Sequence, residues 1–240
     1  MKRIIVCMKQ ALDVTQLKVD AATGQLLLAA AQRKISDFDK NALEEAVRIK
    51  EKTGETEVFT VTVAPEEVKT ILREALALGA DKAYVVSDPS FRDIDTSETA
   101  LVLAEMIRKI GNFDLILCGE TSLDGFSGLV GSKLAELLSL PQMNSVRKMT
   151  IEGESVLTER VLDDAVVTVR AKMPALISVT REINQPRIPS LMMIMKASKK
   201  EITPWSLTYL NIPKERLDPK IEILEVSAPK MERKKIRITS

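Results

Sequence analysis

The sequence contains no histidine among its 240 residues. Histidine is the usual general base at neutral pH and a frequent zinc ligand, so its absence removes the serine–histidine type of nucleophile and the usual zinc site from consideration. Only two cysteines are present, Cys7 and Cys118, and each follows an apolar run. Two isolated cysteines build neither a disulfide framework nor a metal site, so we expect both to be small, buried hydrophobic residues.

Aromatic residues and excess charge are also scarce. Aromatics make up 3% of the sequence and the net charge is +1 at pH 7, which argues against a nucleic-acid partner. No segment reaches the roughly 18 apolar residues that a membrane-spanning helix needs. The N-terminal MKRIIVCMKQ has too short an apolar run for a signal peptide and reads as a first strand. We therefore expect a cytoplasmic protein with no transmembrane segment.

Strand and helix patterns alternate over the first part of the chain. Compact apolar runs predict strands at residues 3–8, 56–64, 82–88 and 113–119. Helical periodicity with capping residues predicts helices at residues 36–54, 65–80, 95–111 and 125–139, the second beginning at Pro65. This alternation predicts an α/β fold with a doubly wound, mostly parallel Rossmann-like sheet. Ligands of such sheets bind at the carboxyl ends of the strands.

The pattern changes after about residue 140. Short β-rich runs between residues 146 and 180 are interrupted by EGE and DDA, which suggests antiparallel strands added to the sheet. After residue 200 several prolines interrupt the chain, so this segment cannot build a core of its own. We divide the chain into a nucleotide-binding α/β domain, residues 1–200, and an extended C-terminal arm, residues 201–240. The apolar residues of the arm either cover the same domain or contact a partner.

The stretch CGETSLDGFSGLVGS, residues 118–132, places four glycines between a strand and a helix. Backbone N–H groups of such a loop, together with the positive end of the helix, can bind a phosphate without a lysine. A kinase or ATPase requires Lys and Mg²⁺ to stabilise the transferring phosphoryl group, so this loop favours binding without transfer. Asp124 would repel a phosphate, and we expect it to cap the turn. The alternative is a glycine-rich turn without a ligand.

Four stretches in order resemble the beta subunit of electron transfer flavoproteins. They are residues 73–86 with the turn GAD, residues 118–142 with the glycine loop, residues 160–179, and residues 183–200, INQPRIPSLMMIMKASKK. The resemblance covers about residues 3–200. Two departures are Ser36, where the family often has asparagine, and the Asp163–Asp164–Ala165 turn, where it commonly has Asp-Gly-Gly.

The resemblance implies a heterodimer with an alpha subunit that carries FAD, and a second nucleotide in this chain. That nucleotide is AMP in the simple members. In the bifurcating members it is FAD, which accepts a hydride from NADH and divides the electrons between a high-potential acceptor and ferredoxin or flavodoxin. Residues 87–104 resemble the bifurcating type through Asp95, Thr96 and Thr99, among others. We therefore expect FAD, with AMP as the alternative; in the latter case the threonines are only a helix N-cap.

The resemblance also implies where ligands bind. Residues 36–39, together with Cys7 and Val63 at the ends of two strands, should form the adenosine pocket. The glycine loop should bind phosphates. The expected cofactor-binding residues are Cys7, Lys9, Asp13, Ser36, Asp37, Phe38, Asp39, Val63, Asp95, Thr96, Thr99, Gly119, Ser122, Leu123, Asp124, Gly125, Ser127, Gly128, Leu129, Val130 and Gly131. Leu191 matches an anchor leucine for a partner dehydrogenase or quinone oxidoreductase, with Met192 and Met193 beside it. No catalytic side chain is expected, because the flavin carries the chemistry.

Two readings from other classes compete with this one. A universal-stress-like or adenylating nucleotide-binding protein would share the α/β layout, but it would need neither the arm nor the PRIPSLMMIMKASKK stretch. A pure interaction module would leave the glycine loop unexplained.

Overall fold

The computed structural model describes residues 2–20, 23, 25–28, 31–66, 68–92 and 94–224. The remaining part of the predicted arm, residues 225–240, lies outside the described residues. Within the described ranges the chain forms a nine-stranded sheet, a small two-stranded sheet and five α-helices. The predicted α/β fold, with a mostly parallel sheet and added antiparallel strands, is confirmed.

The strands and helices have the following bounds. The strands are β1 Arg3–Cys7, β2 Gln10–Leu12, β3 Arg33–Ile35, β4 Glu57–Ala64, β5 Lys82–Ser87, β6 Leu115–Gly119, β7 Gln142–Glu152, β8 Ser155–Val161, β9 Val166–Lys172, β10 Ala175–Val179 and β11 Ile202–Trp205. The helices are α1 Asp37–Thr53, α2 Lys69–Leu78, α3 Thr96–Ile110, α4 Val130–Leu138 and α5 Leu191–Ala197.

The large sheet has the strand order β11-β5-β4-β1-β6-β10-β7-β8-β9. The chain runs outward from β1 through β4 to β5 and then returns, so that β6 pairs with β1 on its other side. The strand order therefore reverses between β1 and β6. In open α/β sheets, the crevice at such a reversal point is where ligands bind.

The sheet is covered on both faces, as the alternation of strands and helices predicts. Ile4 and Val6 of β1 belong to a core with Leu43 of α1 and Leu72 of α2. Ile5 and Cys7 point to the opposite face and belong to a core with α3 and α4. Because successive side chains of a strand alternate between faces, the short apolar run of β1 supplies both cores.

The added strands differ in one respect from the sequence prediction. β7, β8 and β9 form an antiparallel meander, as expected for residues 146–180. β10, however, is parallel to both of its neighbours and lies between β6 and β7. All five of its residues are buried, so it has the continuous apolar character of a parallel strand. Treating the whole segment as antiparallel was wrong for β10, because local composition does not specify a strand's partner.

Two helices start later than predicted. β4 continues to Ala64 and α2 begins only at Lys69, so Pro65 lies outside the helix. α4 begins at Val130 rather than at residue 125. Phe126 and Gly128 have positive φ angles of 46° and 63°, which interrupt helical geometry. The glycine loop is therefore longer than predicted.

The first part of the predicted arm packs on the domain itself. β11 pairs in parallel with β5 at the edge of the sheet. Leu207, Leu210, Ile212 and Leu217 are buried in the core on the α3 face. By contrast, three apolar residues farther along remain exposed: Ile221, Ile223 and Leu224. The division at residue 200 and the packing of the arm on an alpha subunit stay predictions.

The helices in the described part of the chain are all too short or too polar to cross a membrane.

Candidate functional site

A buried carboxylate lies where the strand order reverses. Asp39, in the first turn of α1, accepts hydrogen bonds from the backbone N–H of Lys9 at 2.8 Å and of Gly119 at 3.0 Å. One carboxylate therefore ties the ends of β1 and β6 together. Burial raises the pKa of Asp39 to about 7, although both N–H donors and the charge of Lys9 favour the ionised form.

Gly119 is needed at the end of β6 because α1 passes very close to it. A Cβ atom there would lie 2.5 Å from Phe38 Cβ and 2.7 Å from Asp39 Oδ1. Both distances are shorter than real carbon contacts, so a side chain at this position would displace the start of α1. Gly119 therefore has a close-packing role that the sequence prediction did not include, and its contact with a ligand stays a prediction.

Cys7 and Cys118 are free, buried residues at the ends of neighbouring strands, as predicted. Burial raises the pKa of both thiols, and the nearby charge of Asp39 adds to this effect. Neither thiol is therefore ionised near neutral pH. A Cβ atom on Gly131 would lie 3.1 Å from Cys118 Sγ, so the start of α4 packs closely against β6.

The N-terminus of α4 is open. Leu129 occupies its N-cap position and, within the described residues, no side chain caps this helix. Helix N-termini present unpaired N–H groups and a partial positive charge, which together favour an anion. The preceding residues 125–129 are exposed. The loop thus leads to an accessible group of backbone donors at Val130, Gly131 and Ser132.

Asp124 does not cap its own turn, contrary to the sequence prediction. Its carboxylate accepts from Lys9 Nζ at 2.7 Å and from the backbone N–H of Leu12 at 3.1 Å, and Lys9 Nζ also donates to Ser122 Oγ at 3.2 Å. Burial disfavours the charge of Asp124, but Lys9 holds its pKa below the ordinary value. The Asp124 charge is thereby neutralised, and the carboxylate fastens the glycine loop to β2.

The N-terminus of α3 is closed by its own side chains. Asp95 accepts from the backbone N–H of Ser97, and the Glu98 carboxylate accepts from the backbone N–H of Asp95 at 3.1 Å, which forms a capping box. The Thr99 hydroxyl donates to the carbonyl oxygen of Asp95 at 2.7 Å. Asp95 is thus the N-cap residue of α3. The Thr99 hydroxyl is therefore bonded to the N-cap residue of its own helix.

Lys133 joins the two helix N-termini, and sequence reasoning missed it. Its ammonium group donates to Thr96 Oγ1 at 2.7 Å and to Ser97 Oγ at 2.6 Å. An ammonium group has three N–H donors, so these two hydroxyls leave one for a further acceptor. The signal was a lysine two residues after the fourth glycine, Gly131, but a helix begun at residue 125 placed Lys133 too far from the loop.

The start of α1 is fixed by charges. Asp37 pairs with Lys34 Nζ at 3.0 Å and with the Arg181 guanidinium at 2.9 Å. The Arg181 guanidinium also lies over the ring of Phe38, 5.2 Å from its centroid. Sequence reasoning missed Arg181, which is remote in sequence from α1. The Ser36 hydroxyl is buried and has no hydrogen-bond partner among the described residues.

The remaining predicted positions fall into three groups. Asp13 caps a short 3₁₀ turn and lies 3.6 Å from Lys34 Nζ. Val63 lies near the carboxyl end of β4, on the α3 face. Leu123, Gly125 and Ser127 form the middle of the glycine loop. The structure therefore brings most predicted positions to one edge of the sheet, and their contact with a ligand stays a prediction.

The predicted partner-binding segment is exposed and lies away from this edge. Leu191 and Met192 of α5 are 74% and 65% exposed, and Met193 is partly buried. Among the residues of α5, only Ala197 is fully buried. A helix with so little buried surface presents its apolar side chains to the outside.

Comparison with known proteins places the chain in a family. The family model for the electron transfer flavoprotein domain matches residues 23–210. The electron transfer flavoprotein subunit beta of Thermoanaerobacterium thermosaccharolyticum is 38% identical over 96% of this chain and 89% of its own length. The caffeyl-CoA reductase-Etf complex subunit CarD of Acetobacterium woodii is 36% identical over 85% and 78%. The subunit beta of Megasphaera elsdenii is 34% identical over 83% and 76%.

A doubly wound sheet with an open helix N-terminus at its reversal point defines an α/β protein of the Rossmann-like type. The chain belongs to the electron transfer flavoprotein family, and two of the relatives named above are beta subunits. The function of this family is electron transfer.

Proposed function

We propose that this chain is the beta subunit of a heterodimeric electron transfer flavoprotein of the bifurcating type, which binds a second FAD. In this role it passes electrons between NADH, the FAD of the alpha subunit, and ferredoxin, flavodoxin, quinone-type or dehydrogenase-type partners. The bound flavin supplies the electron transfer, and the protein supplies binding and orientation.

The observation that carries this proposal is the link made by Lys133. The open N-terminus of α4 suits one phosphate group, and Lys133 extends the polar surface from there to the hydroxyls of Thr96 and Ser97. AMP has a single phosphate, whereas FAD has a pyrophosphate followed by a ribityl chain. A surface that spans two helix N-termini matches the longer ligand.

The described residues fit a nucleotide in other respects. The Ser36 and Thr121 hydroxyls are buried without hydrogen-bond partners among the described residues, and buried hydroxyls ordinarily have partners. Lys9 pairs with Asp124, so the charge of that carboxylate is offset before a phosphate approaches the loop. No described side chain has to act as an acid or base, because the residues of the site serve to hold and orient the ligand.

AMP is the alternative occupant, and the capping box of α3 favours it. Asp95 and Glu98 satisfy backbone groups at the α3 N-terminus and place carboxylates there. A second phosphate gains nothing from donors that are already used. In that case the chain is a conventional beta subunit with a structural nucleotide, and Thr96 and Thr99 are parts of a helix cap.

The exposed apolar residues suit protein partners. We propose that Leu191, Met192 and Met193 contact a dehydrogenase, because Leu191 and Met192 are exposed and flexible methionines adapt to a partner surface. Ile221, Ile223 and Leu224 suit contact with the alpha subunit, since exposed apolar residues close together in sequence favour an interface. The relative named as a subunit of a caffeyl-CoA reductase-Etf complex supports assembly with an enzyme.

The test is to co-express the chain with its alpha subunit, denature the purified complex, and quantify the released nucleotides by chromatography. Two FAD and no AMP for each heterodimer support the proposal, and reduction by NADH is then measured. One FAD and one AMP support the alternative. One FAD and no second nucleotide contradict both.

A further inference from the structure

One face of α1 connects the proposed nucleotide site with the segment that leads to α5. Its polar residues follow a helical repeat, so that they line up along a single side of the helix. They are Asp37, Asn41, Glu44, Glu45, Arg48 and Glu51. Each of them contacts the segment of residues 181–187. We call these contacts the α1 ladder.

The ladder begins inside the proposed adenosine pocket. Arg181 pairs with Asp37 and lies over the ring of Phe38, and both of these residues are expected to line the pocket. A nucleotide against Phe38 would therefore restrain Arg181 directly. Arg181 opens a short 3₁₀ turn, Arg181–Ile183, after which the chain meets the next contact.

The middle of the ladder is a reciprocal pair of asparagines. Asn41 Nδ2 donates to the carbonyl oxygen of Asn184 at 2.7 Å, and Asn184 Nδ2 donates to the carbonyl oxygen of Asn41 at 3.0 Å. Asn184 Nδ2 also donates to Glu45 at 3.0 Å. Asn41 is buried, so these bonds are protected from water. They fix both the position and the direction of the chain at residue 184.

The ladder ends at Arg187, which bridges two turns of α1. Its guanidinium donates to Glu44 at 2.8 Å and to Glu51 at 2.5 Å, and Arg48 holds Glu44 from the other side at 2.8 Å. Burial disfavours the charge of Glu44, but the hydrogen bonds from Arg187 and Arg48 hold its pKa below the ordinary value. An arginine between two carboxylates has little freedom of orientation.

Four residues beyond Arg187, the chain starts α5. The other end of α5 is fixed separately, because Arg73 donates to the carbonyl oxygens of Ala197 at 2.9 Å and Lys200 at 2.7 Å. α5 packs on α2, and among its own residues only Ala197 is fully buried. Its C-terminal end is therefore held by α2, whereas among the described contacts the ladder is the attachment that leads back to the nucleotide site.

We propose that the α1 ladder couples occupancy of the nucleotide site to the ordering of residues 184–195, with Asn184 and Arg187 as positioning residues. The inference rests on the proposed function, which supplies both the nucleotide and the partner-binding role of α5. A filled site holds Phe38, Asp37 and Arg181, and the ladder carries that restraint to α5. Partner binding and nucleotide binding then strengthen each other, because coupling between two sites is reciprocal.

The experiment is hydrogen exchange of the purified heterodimer, read by mass spectrometry on peptides that span residues 184–197. One sample is depleted of nucleotide, and portions are refilled with FAD or with AMP. Nucleotide removal should speed exchange in these peptides by roughly 5- to 150-fold, the usual range for coupled sites. Peptides from the β8–β9 hairpin at the edge of the sheet, residues 155–172, should not change.

Variants separate coupling from a purely structural role. In Arg187→Gln we expect fast exchange with and without nucleotide, so that the ratio between the two states falls towards one. Arg170→Gln is the matched control, since it also removes an arginine–glutamate pair, to Glu152 at 2.6 Å, but outside the ladder. It should retain the ratio of the unchanged protein.

Each outcome decides the proposal. Bound nucleotide together with equal exchange in both states overturns the coupling and leaves the proposed function intact. A full ratio retained in Arg187→Gln also overturns it, because the loop would then respond by another route. A heterodimer that takes up neither FAD nor AMP contradicts the proposed function and the coupling together.

Discussion

Two helix N-termini meet at the same edge of the sheet and have opposite designs. α3 starts with Asp95 and Glu98, which form a capping box and satisfy its backbone donors. α4 starts with Leu129, has no side-chain cap among the described residues, and follows an exposed glycine loop. The two helices pack together, and Lys133 of α4 donates to Thr96 and Ser97 of α3.

The comparison distinguishes the N-terminus of α3, which its own side chains stabilise, from the N-terminus of α4, whose backbone donors can bind a ligand. Capping a helix typically contributes about 1 kcal/mol, so an uncapped start at a conspicuous glycine loop forgoes stability. Its donors remain available to an anion instead. The carboxylates of α3 repel an anion at the neighbouring start, and Lys133 carries the positive charge that offsets them. The proposed phosphate site is therefore α4, with Lys133 as its boundary.

The largest expected effect comes from placing a charge at the open start. Gly128→Asp puts a carboxylate against the proposed phosphate position. Like charges brought together in a partly desolvated site cost several kcal/mol, so nucleotide affinity should fall at least ~100-fold. Nucleotide content of the purified heterodimer measures this.

Gly128→Asn is the matched control for that variant. Gly128 has a φ of 63°, and asparagine and aspartate both tolerate this left-handed conformation better than most residues. The asparagine variant should keep its nucleotide. Loss of nucleotide in both variants would assign the effect to backbone strain and contradict the phosphate assignment.

The second-largest effect is expected when the hydrogen bonds from Lys133 of α4 to the N-terminus of α3 are removed. Lys133→Gln keeps hydrogen-bonding ability but removes the charge, and a hydrogen bond to a charged group contributes about 1.5–3 kcal/mol. We expect nucleotide affinity to fall roughly 10- to 100-fold by calorimetric titration. Lys148 is an exposed lysine of β7 that pairs with Glu159 of β8. Lys148→Gln should therefore leave nucleotide affinity unchanged. Equal affinities for the two variants would remove Lys133 from the site.

A third prediction concerns Asp39, the buried carboxylate in the first turn of α1. Burial raises the pKa of Asp39 to about 7, above the value of about 3.9 in an unfolded chain. The folded protein therefore holds the Asp39 proton more strongly than the unfolded chain does. The stabilisation that comes from this protonation is complete below about pH 4. It is lost as pH rises through about 7, by at most ~1.4 kcal/mol per pH unit.

Asp39→Asn resembles the protonated carboxyl and removes its titration. Denaturant unfolding of the heterodimer between pH 4 and 8 should show a flatter dependence of stability on pH in this variant than in the unchanged protein. Identical slopes would mean that Asp39 is ionised throughout, held by the N–H groups of Lys9 and Gly119.

The smallest effect is expected at the closed start. Asp95→Ala removes the cap of α3 and should lower the free energy of unfolding by about 1 kcal/mol, as measured by denaturant unfolding. Nucleotide content should fall less than in Gly128→Asp or Lys133→Gln, because the proposed phosphate site is on α4. A variant with normal stability and lost nucleotide would reverse the comparison and make α3 the binding start.

The sequence predicted the elements well where a local signal exists. Asp95 and Gly111 bound α3 as expected, and Ser36 and Gly54 bound α1. It failed where the outcome depends on distant partners. Nothing local in the segment Ala175–Val179 indicates that it inserts between β6 and β7, because its pairing is decided by the whole sheet.

The site shows the same division. The glycine loop and its neighbours could be placed from strand ends and from the family resemblance, since parallel strands bring their carboxyl ends to one edge. The partners of the charged residues could not. Asp124 looked like a turn cap and is bound by Lys9 and Leu12 from another segment. Lys133 was missed because the two positive φ angles that delay α4 are not visible in the pattern.

The most direct test of the account is an experimental structure of the nucleotide-loaded heterodimer. We expect phosphate oxygens within hydrogen-bonding distance, about 2.7–3.2 Å, of the backbone nitrogen atoms at the start of α4, with Lys133 Nζ as a further donor. A nucleotide with no phosphate at the start of α4 would contradict this assignment.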